Sequence, residues 1–178
     1  MQHVRLLGPP LPMLPGTYLA LRRRMARLDY SSLARSLVCL ERFTGRTSAA
    51  AMTRLELRLW NAENMGEHLS RAQIEMVRNY VRLDPEIYLQ LVDLREMTLR
   101  GESLEGKAIP QVCSSCACSF FDPCQHTDGQ ACAWSTLEPL RCTCCAAMDH
   151  DFGDSPRPDP ARPLIQMADA AAAIRELR

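Results

Sequence analysis

The sequence lacks a long hydrophobic run and the usual marks of catalysis. No stretch of about 18 apolar residues is present, so a membrane-spanning helix is not expected. There is no glycine-rich phosphate loop, no nucleophile elbow and no His-Glu-x2-His motif. The four histidines are scattered along the chain: His3, His68, His126 and His150. We therefore predict that the protein is not an enzyme.

Lysine is absent from the first hundred residues, although 15 arginines lie there against 10 acidic residues. The rest of the chain holds 6 basic and 11 acidic side chains, so a formal net charge of zero conceals a basic half and an acidic half. A basic segment of this kind favours an anionic partner, and nucleic acid is the usual one. The alternative is a solvated, arginine-rich helix surface without such a partner.

A secretory signal is also missing, because residues 1–15 are rich in leucine and proline but show no cleavage pattern. We therefore expect a cytoplasmic protein that does not associate with membranes. In a reducing compartment, clustered cysteines are more often metal ligands than disulfides. Eight of the nine cysteines lie between Cys113 and Cys145. The ninth, Cys39, stands in an apolar helical stretch and is expected to be a core residue.

Two Cys-x2-Cys pairs flank the cysteine cluster, and each such turn brings two thiolates onto one tetrahedral ion. The spacing predicts a closed, structural zinc site with four ligands: Cys113, Cys116, Cys142 and Cys145. The remaining cysteines of the cluster would hold a second zinc ion or complete a two-metal cluster: Cys118, Cys124, Cys132 and Cys144. An iron–sulfur cluster is the next alternative, followed by a thiol redox pair.

Two aromatic residues of the same segment, Phe120 and Trp134, are expected to form a small core over the metal. His126 lies in a His-Thr-Asp-Gly stretch that is typical of a loop, so we do not count it as a ligand.

Apolar residues at helical spacing predict five helices within residues 16–99. Three helix starts are well marked: Asp29 as an N-cap, Ser70 with Gln73 as a capping box, and Asp84-Pro85-Glu86 as a cap followed by proline and an acid. Around this domain we predict an extended arm at 1–15, a linker at 100–109, a Cys-rich module at 110–148, a proline-rich linker at 149–163 and a helix at 164–178. The predicted fold class is mainly α: a five-helix domain, a small irregular metal-binding module and a C-terminal helix.

The segment from Cys113 to Cys145 resembles a motif of small tailed-phage and prophage proteins. That motif has the order Cys-x2-Cys-Gly-Cys, Ala-Cys, Gly-x-Cys-x-Trp and Leu-Cys-x2-Cys. Here Ala117 replaces the usual glycine, Pro123 precedes Cys124, Cys132 stands before Trp134, and Cys144 is an additional cysteine. The resemblance implies metal binding and a phage-derived origin.

Residues 16–99 resemble the helix-turn-helix domain of the Cro/repressor type. The likeness rests on the basic first helix before Leu28, on Leu33-Ala34, and on Leu59-Trp60-Asn61-Ala62-Glu63 at the end of the third helix. The sequence departs from that type between residues 38 and 50, which are about ten residues longer than the usual turn. The third helix also begins with three alanines at 49–51, which offer no hydrogen bonds to base edges.

The resemblance implies a double-stranded DNA partner. Eight residues are candidate DNA contacts: Arg22, Arg23, Arg24, Arg46, Thr47, Ser48, Arg54 and Arg58. The first four arginines of this set suit phosphate contacts, which position a protein on DNA without specifying the sequence. The sequence thus favours a DNA-associated regulatory protein with a structural zinc module, which could act as a homodimer. The alternative is a protein-interaction adaptor that binds no DNA and recruits its partner through the Cys-rich module or the C-terminal helix.

Overall fold

A computed structural model describes residues 11–41, 49–125, 129–136 and 140–151. Six α-helices occur in these residues, where β pairing is limited to three isolated bridges, so the predicted mainly helical class is confirmed. Several predicted features lie outside the described part: the arm before residue 11, the loop residues Arg46, Thr47 and Ser48, His126, the linker after residue 151, the C-terminal helix, and the side chain of Cys39. The described residues up to Ala147 form one compact unit. Among the described helices, none has both the length and the apolar character needed to cross a bilayer.

Five helices precede the cysteine cluster: α1 (Pro15–Met25), α2 (Tyr30–Glu41), α3 (Ala49–Asn64), α4 (Arg71–Arg78) and α5 (Pro85–Leu99). The sixth, α6 (Thr143–Asp151), begins directly after Cys142. All three predicted start signals are present. The Asp29 carboxylate accepts a hydrogen bond of 2.7 Å from the backbone N–H of Ser32, Ser70 and Gln73 form a capping box, and the Asp84 carboxylate accepts a hydrogen bond of 2.9 Å from the N–H of Glu86.

The helical core is centred on α3 and α5. Helix α3 packs against α1 and α2, and α5 packs against α1 and α4. Fully buried side chains from all five helices fill the centre, including Tyr18, Leu33, Leu59, Ile74 and Tyr88. Glycine is required where α1 approaches α3, because a Cβ atom at Gly16 would lie 2.6 Å from the carbonyl oxygens of Ala62 and Glu63.

An ion pair inside the bundle fixes α1 against α3. The Arg23 guanidinium donates two hydrogen bonds of 2.7 Å to the Glu63 carboxylate and lies 4.0 Å from the centre of the Tyr30 ring. The Tyr30 hydroxyl donates to the same carboxylate at 2.7 Å. Such a two-pronged arginine–carboxylate contact fixes orientation as well as distance.

A second ion pair joins the helices to the Cys-rich segment. The buried carboxylate of Asp122 accepts hydrogen bonds from the guanidinium groups of Arg22 and Arg82. Arg22 is 4% exposed, and its Nε donates to the carbonyl oxygen of Arg82. Ala117 belongs to the same buried cluster as Tyr18 and Tyr88, so the start of the Cys-rich segment completes the helical core.

Replacing Asp122 with alanine should leave the Arg22 guanidinium buried without a counter-ion. Removing one partner of a buried pair typically costs about 3–5 kcal/mol, so we expect the free energy of unfolding, measured by urea titration, to fall by that amount. The matched control is Glu86→Ala, which breaks the exposed ion pair with Arg71 and should change stability little. Equal effects of the two substitutions would contradict this account of Asp122.

Candidate metal centre

The first Cys-x2-Cys pair lies on a tight turn closed by backbone hydrogen bonds. The N–H of Ala117 donates to the carbonyl of Cys113 at 2.8 Å, and the N–H of Cys113 donates to the carbonyl of Cys118 at 2.9 Å. An isolated antiparallel bridge between Val112 and Ser119 closes the base of the turn. Ala117 has a φ of +58°, in the left-handed region that favours glycine. The turn points the sulfurs of Cys113 and Cys116 inward, and both thiols are buried.

In the second pair, Cys142 directly precedes α6 and Cys145 lies in its first turn. An antiparallel bridge joins Trp134 to Cys142, and the N–H of Thr143 donates to the carbonyl of Ala133 at 2.8 Å. The backbone N–H of Cys142 donates to the sulfur of Cys113 at 3.4 Å, so the second pair contacts the first turn directly. The two Cys-x2-Cys pairs therefore contact each other through this hydrogen bond as well as through their sulfur atoms.

Six sulfur atoms form two overlapping groups of four, and within each group all sulfurs lie within 4.8 Å of one another. One group contains Cys113, Cys116, Cys118 and Cys142. The other contains Cys118, Cys124, Cys132 and Cys142. Each group could hold a metal ion, because four converging thiolates are a complete ligand set for a tetrahedral ion.

Three of the sulfur–sulfur distances are close to what such an ion requires. The sulfur of Cys142 lies 3.8 Å from that of Cys116 and 3.5 Å from that of Cys124. The sulfurs of Cys118 and Cys132 are 3.5 Å apart. For a Zn–S bond of about 2.3 Å, the edge of a sulfur tetrahedron is about 3.8 Å. All eight described cysteines are free thiols.

Crowding of the thiols separates their pKa values. Hydrogen bonds from the side chains of Cys116, Cys118 and Cys145 hold the pKa of Cys113 far below its usual range. The same contacts with Cys113 raise the pKa of Cys116 and of Cys118, because their protons are donated to it. Burial, followed by contact with the thiol of Cys132, raises the pKa of Cys124. The cluster thus stabilises thiolate at Cys113, the form that a metal ion binds.

Six of the eight predicted ligands are brought together, with one exchange in each predicted set. Cys113, Cys116 and Cys142 lie in one group as expected, but the fourth sulfur within that group is Cys118. Cys145 is buried and its thiol hydrogen-bonds to Cys113, which raises the pKa of Cys145. Of the second predicted set, Cys118, Cys124 and Cys132 share a group, and Cys142 stands there instead of Cys144. The Cys-x2-Cys-x-Cys spacing at residues 113–118 was the available signal for Cys118.

The expected aromatic cover is half correct. Trp134 is half-buried and packs against the thiol cluster. Phe120 is 80% exposed, so its expected place in a small core was wrong. Its neighbours Ser119 and Asp122 point inward instead and hydrogen-bond to each other. A pocket of about 300 Å³ next to the cluster is lined by Phe120, Pro123, Trp134 and three cysteines, Cys118, Cys132 and Cys142.

The described candidate DNA contacts fall into two classes. Arg22 and Arg23 are 4% and 7% exposed, and their guanidinium groups bind Asp122 and Glu63 inside the fold. A phosphate could not reach them without breaking those ion pairs, so we remove both from the candidate set. Arg24, Arg54 and Arg58 are exposed. Asn61, which is not among the sequence candidates, lines the same surface depression as Arg54 and Arg58, and its amide donates a hydrogen bond of 3.0 Å to the Glu67 carboxylate.

No protein-family profile, curated protein or solved structure matches this chain.

The left-handed conformation of Ala117 gives a test of the first turn. A non-glycine residue pays roughly 1–2 kcal/mol there, whereas the buried methyl group contributes about 0.8 kcal/mol. Ala117→Gly should therefore leave the free energy of unfolding within about 1 kcal/mol of its original value. Ala117→Val should lower stability by about 1–3 kcal/mol, because a branched side chain is strained at this φ and overfills the core. Calorimetric unfolding of both variants would decide, and a valine variant as stable as the glycine variant would contradict the described turn.

Proposed function

We propose that the protein is a DNA-associated regulatory protein of phage or prophage type, in which structural zinc holds the Cys-rich segment together. The observation that carries the DNA part is a pair of exposed arginines on α3, Arg54 and Arg58, which line a surface depression together with the half-buried Asn61. The observation that carries the metal part is the close packing of six thiols in two groups of four.

Zinc is the ion that best fits the cluster. Zinc binds thiolates readily and is usually tetrahedral in structural sites, because its filled d shell imposes no other geometry. Four thiolates at these distances fit that geometry. Four thiolates leave no open position for a substrate or water, so the ion's role is structural. What the ion would supply is folding free energy to a short segment.

The order of the helices supports a helix-turn-helix arrangement of the Cro/repressor type. Within residues 15–99, α3 occupies the third position, where that type has its recognition helix. Residues 54, 58 and 61 are spaced by four and three, so their side chains share one helical face. Arginine and asparagine are the side chains that pair with guanine and adenine edges in the major groove. Arg24, at the end of α1, is exposed and suits a phosphate contact.

A protein-interaction adaptor remains the second candidate because of two exposed aromatic rings. Phe120 and Phe121 are 80% and 78% exposed and meet edge to face, with their ring centres 5.5 Å apart. Exposed aromatic side chains of this size are typical anchors of protein interfaces. The two candidates differ in the residues that matter: α3 arginines for DNA, and the phenylalanine pair for a protein.

Elemental analysis of protein purified without added metal should find zinc, and the solution should show no visible colour. Treatment with a strong chelator should remove the metal and lower the thermal stability, because the protein then loses the folding free energy that the ion contributes. Iron with a brown absorbance would contradict the zinc assignment. Protein free of metal that keeps its full stability would contradict a structural metal altogether.

Fluorescence anisotropy with a random-sequence duplex should show binding that weakens steeply with salt, since each neutralised phosphate contributes about −0.9 to the slope of log K against log salt. Arg58→Ala should weaken this binding and reduce the magnitude of the salt slope by about 1, as the loss of one phosphate contact would. The matched control is Arg100→Ala, which removes another exposed arginine, one paired with Glu102 at the end of α5, and should leave affinity unchanged. If the wild-type protein gives no salt-sensitive binding to duplex DNA, the DNA proposal fails. Equal losses in both variants would remove α3 as the contact surface.

A further inference from the structure

Two sulfur atoms belong to both four-sulfur groups. Cys118 and Cys142 each lie within 4.8 Å of every other member of the first group and of the second. The remaining members divide cleanly, with Cys113 and Cys116 on one side and Cys124 and Cys132 on the other. The arrangement therefore has two ends and a shared middle. A single tetrahedral ion would bind four of the six thiols and leave the other two without a metal ligand bond.

We infer that the centre holds two metal ions and that the sulfurs of Cys118 and Cys142 bridge them, an inference that rests on the metal part of the proposed function. A thiolate sulfur has more than one free lone pair and can therefore bind two ions at once. With two bridging sulfurs, six thiolates supply four ligands to each ion. Cys113 and Cys116 are then the terminal ligands of one ion, and Cys124 and Cys132 are those of the other.

Distances from the shared sulfurs support this assignment on both sides. Cys142 lies 3.8 Å from Cys116 of the first end and 3.5 Å from Cys124 of the second. Cys118 lies 3.5 Å from Cys132 of the second end, and its backbone carbonyl accepts a hydrogen bond from Cys113 of the first. The sulfur of Cys142 therefore faces both ends at close to the tetrahedral edge length, and that of Cys118 faces the second end at such a distance and lies within 4.8 Å of both sulfurs of the first.

Burial of charge also favours sharing. Two divalent ions with six thiolates carry a net charge of −2, whereas two separate four-thiolate sites carry −4. Four of the six sulfurs belong to fully buried residues, namely Cys113, Cys116, Cys118 and Cys142. Because an uncompensated charge is costly to bury, the shared arrangement is the cheaper one in such surroundings. It leaves Cys144 and Cys145 outside the ligand set, as protonated thiols.

The direct test is NMR of the intact chain loaded with ¹¹³Cd, a spin-active ion that accepts the same thiolate ligands. Two cadmium resonances are expected, and the β-protons of Cys118 and Cys142 should correlate with both, while those of the other four ligands correlate with one each. If every cysteine correlates with a single cadmium, the bridges are overturned. One cadmium per chain overturns the two-ion centre but leaves a metal site, whereas no bound cadmium overturns the metal part of the proposed function as well.

Native mass spectrometry of the zinc-loaded protein provides a second readout through matched cysteine variants. Cys132→Ser removes a terminal ligand and should lose one ion, while Cys118→Ser removes a ligand from both ions and should lose two. Cys144→Ser, which changes a neighbouring thiol outside the ligand set, should retain both ions. Loss of only one ion from Cys118→Ser, or loss of an ion from Cys144→Ser, would overturn the assignment of bridging and terminal ligands.

Discussion

Close packing of thiols takes the place of a hydrocarbon core in the Cys-rich segment, and the rest of that segment depends on it. Among its described residues, the buried apolar side chains are six cysteines and Ala117. A segment this short cannot bury enough hydrocarbon to offset the conformational entropy of ordering it. Its backbone pairing is equally sparse, with isolated bridges and a few turn hydrogen bonds. The sulfur cluster is therefore the interaction that holds the two Cys-x2-Cys pairs together. A bound ion would supply folding free energy that the thiols alone lack.

Order in the cluster extends into the helices because the two share buried groups. Ala117, in the middle of the first turn, packs within the helical core, and Asp122 lies between Arg22 of α1 and Arg82 before α5. The ion pairs also change how the charge of the chain should be interpreted. Two of the arginines that make the first half basic, Arg22 and Arg23, are neutralised by Asp122 and Glu63 inside the fold. These two side chains are therefore not available to a DNA phosphate, and contacts with DNA would have to come from exposed arginines such as Arg54 and Arg58 of α3.

Features determined by short stretches of sequence could be predicted, and features that depend on distant partners could not. Helix starts at Asp29, Ser70 and Asp84 are local, because a capping side chain bonds to a backbone N–H two or three residues away. A Cys-x2-Cys turn likewise brings two ligands together within four residues. By contrast, Arg22 meets a carboxylate one hundred residues away and Arg23 meets one forty residues away, so neither burial could be anticipated from helical periodicity.

The choice of ligands in the cluster was unpredictable for the same reason. Spacing alone pairs Cys113 and Cys116 with Cys142 and Cys145. It does not indicate which sulfurs of the segment 113–118 face the second Cys-x2-Cys pair. In the folded chain the left-handed residue Ala117 turns Cys118 back beside Cys113. The outward position of Phe120 follows from the same turn, because Ser119 and Asp122 take up the inward positions on either side.

The neighbourhood of each sulfur argues for an ion over disulfides. A disulfide satisfies two sulfurs as an isolated pair at about 2.05 Å, whereas the sulfur of Cys142 has the sulfurs of Cys124 and Cys116 at 3.5 and 3.8 Å. Cys118 belongs to the same two groups as Cys142. Each disulfide within the cluster would satisfy only the two sulfurs that it joins. A tetrahedral ion would satisfy all four sulfurs of one group at once, so an arrangement in which each sulfur has several sulfur neighbours is one that could hold metal.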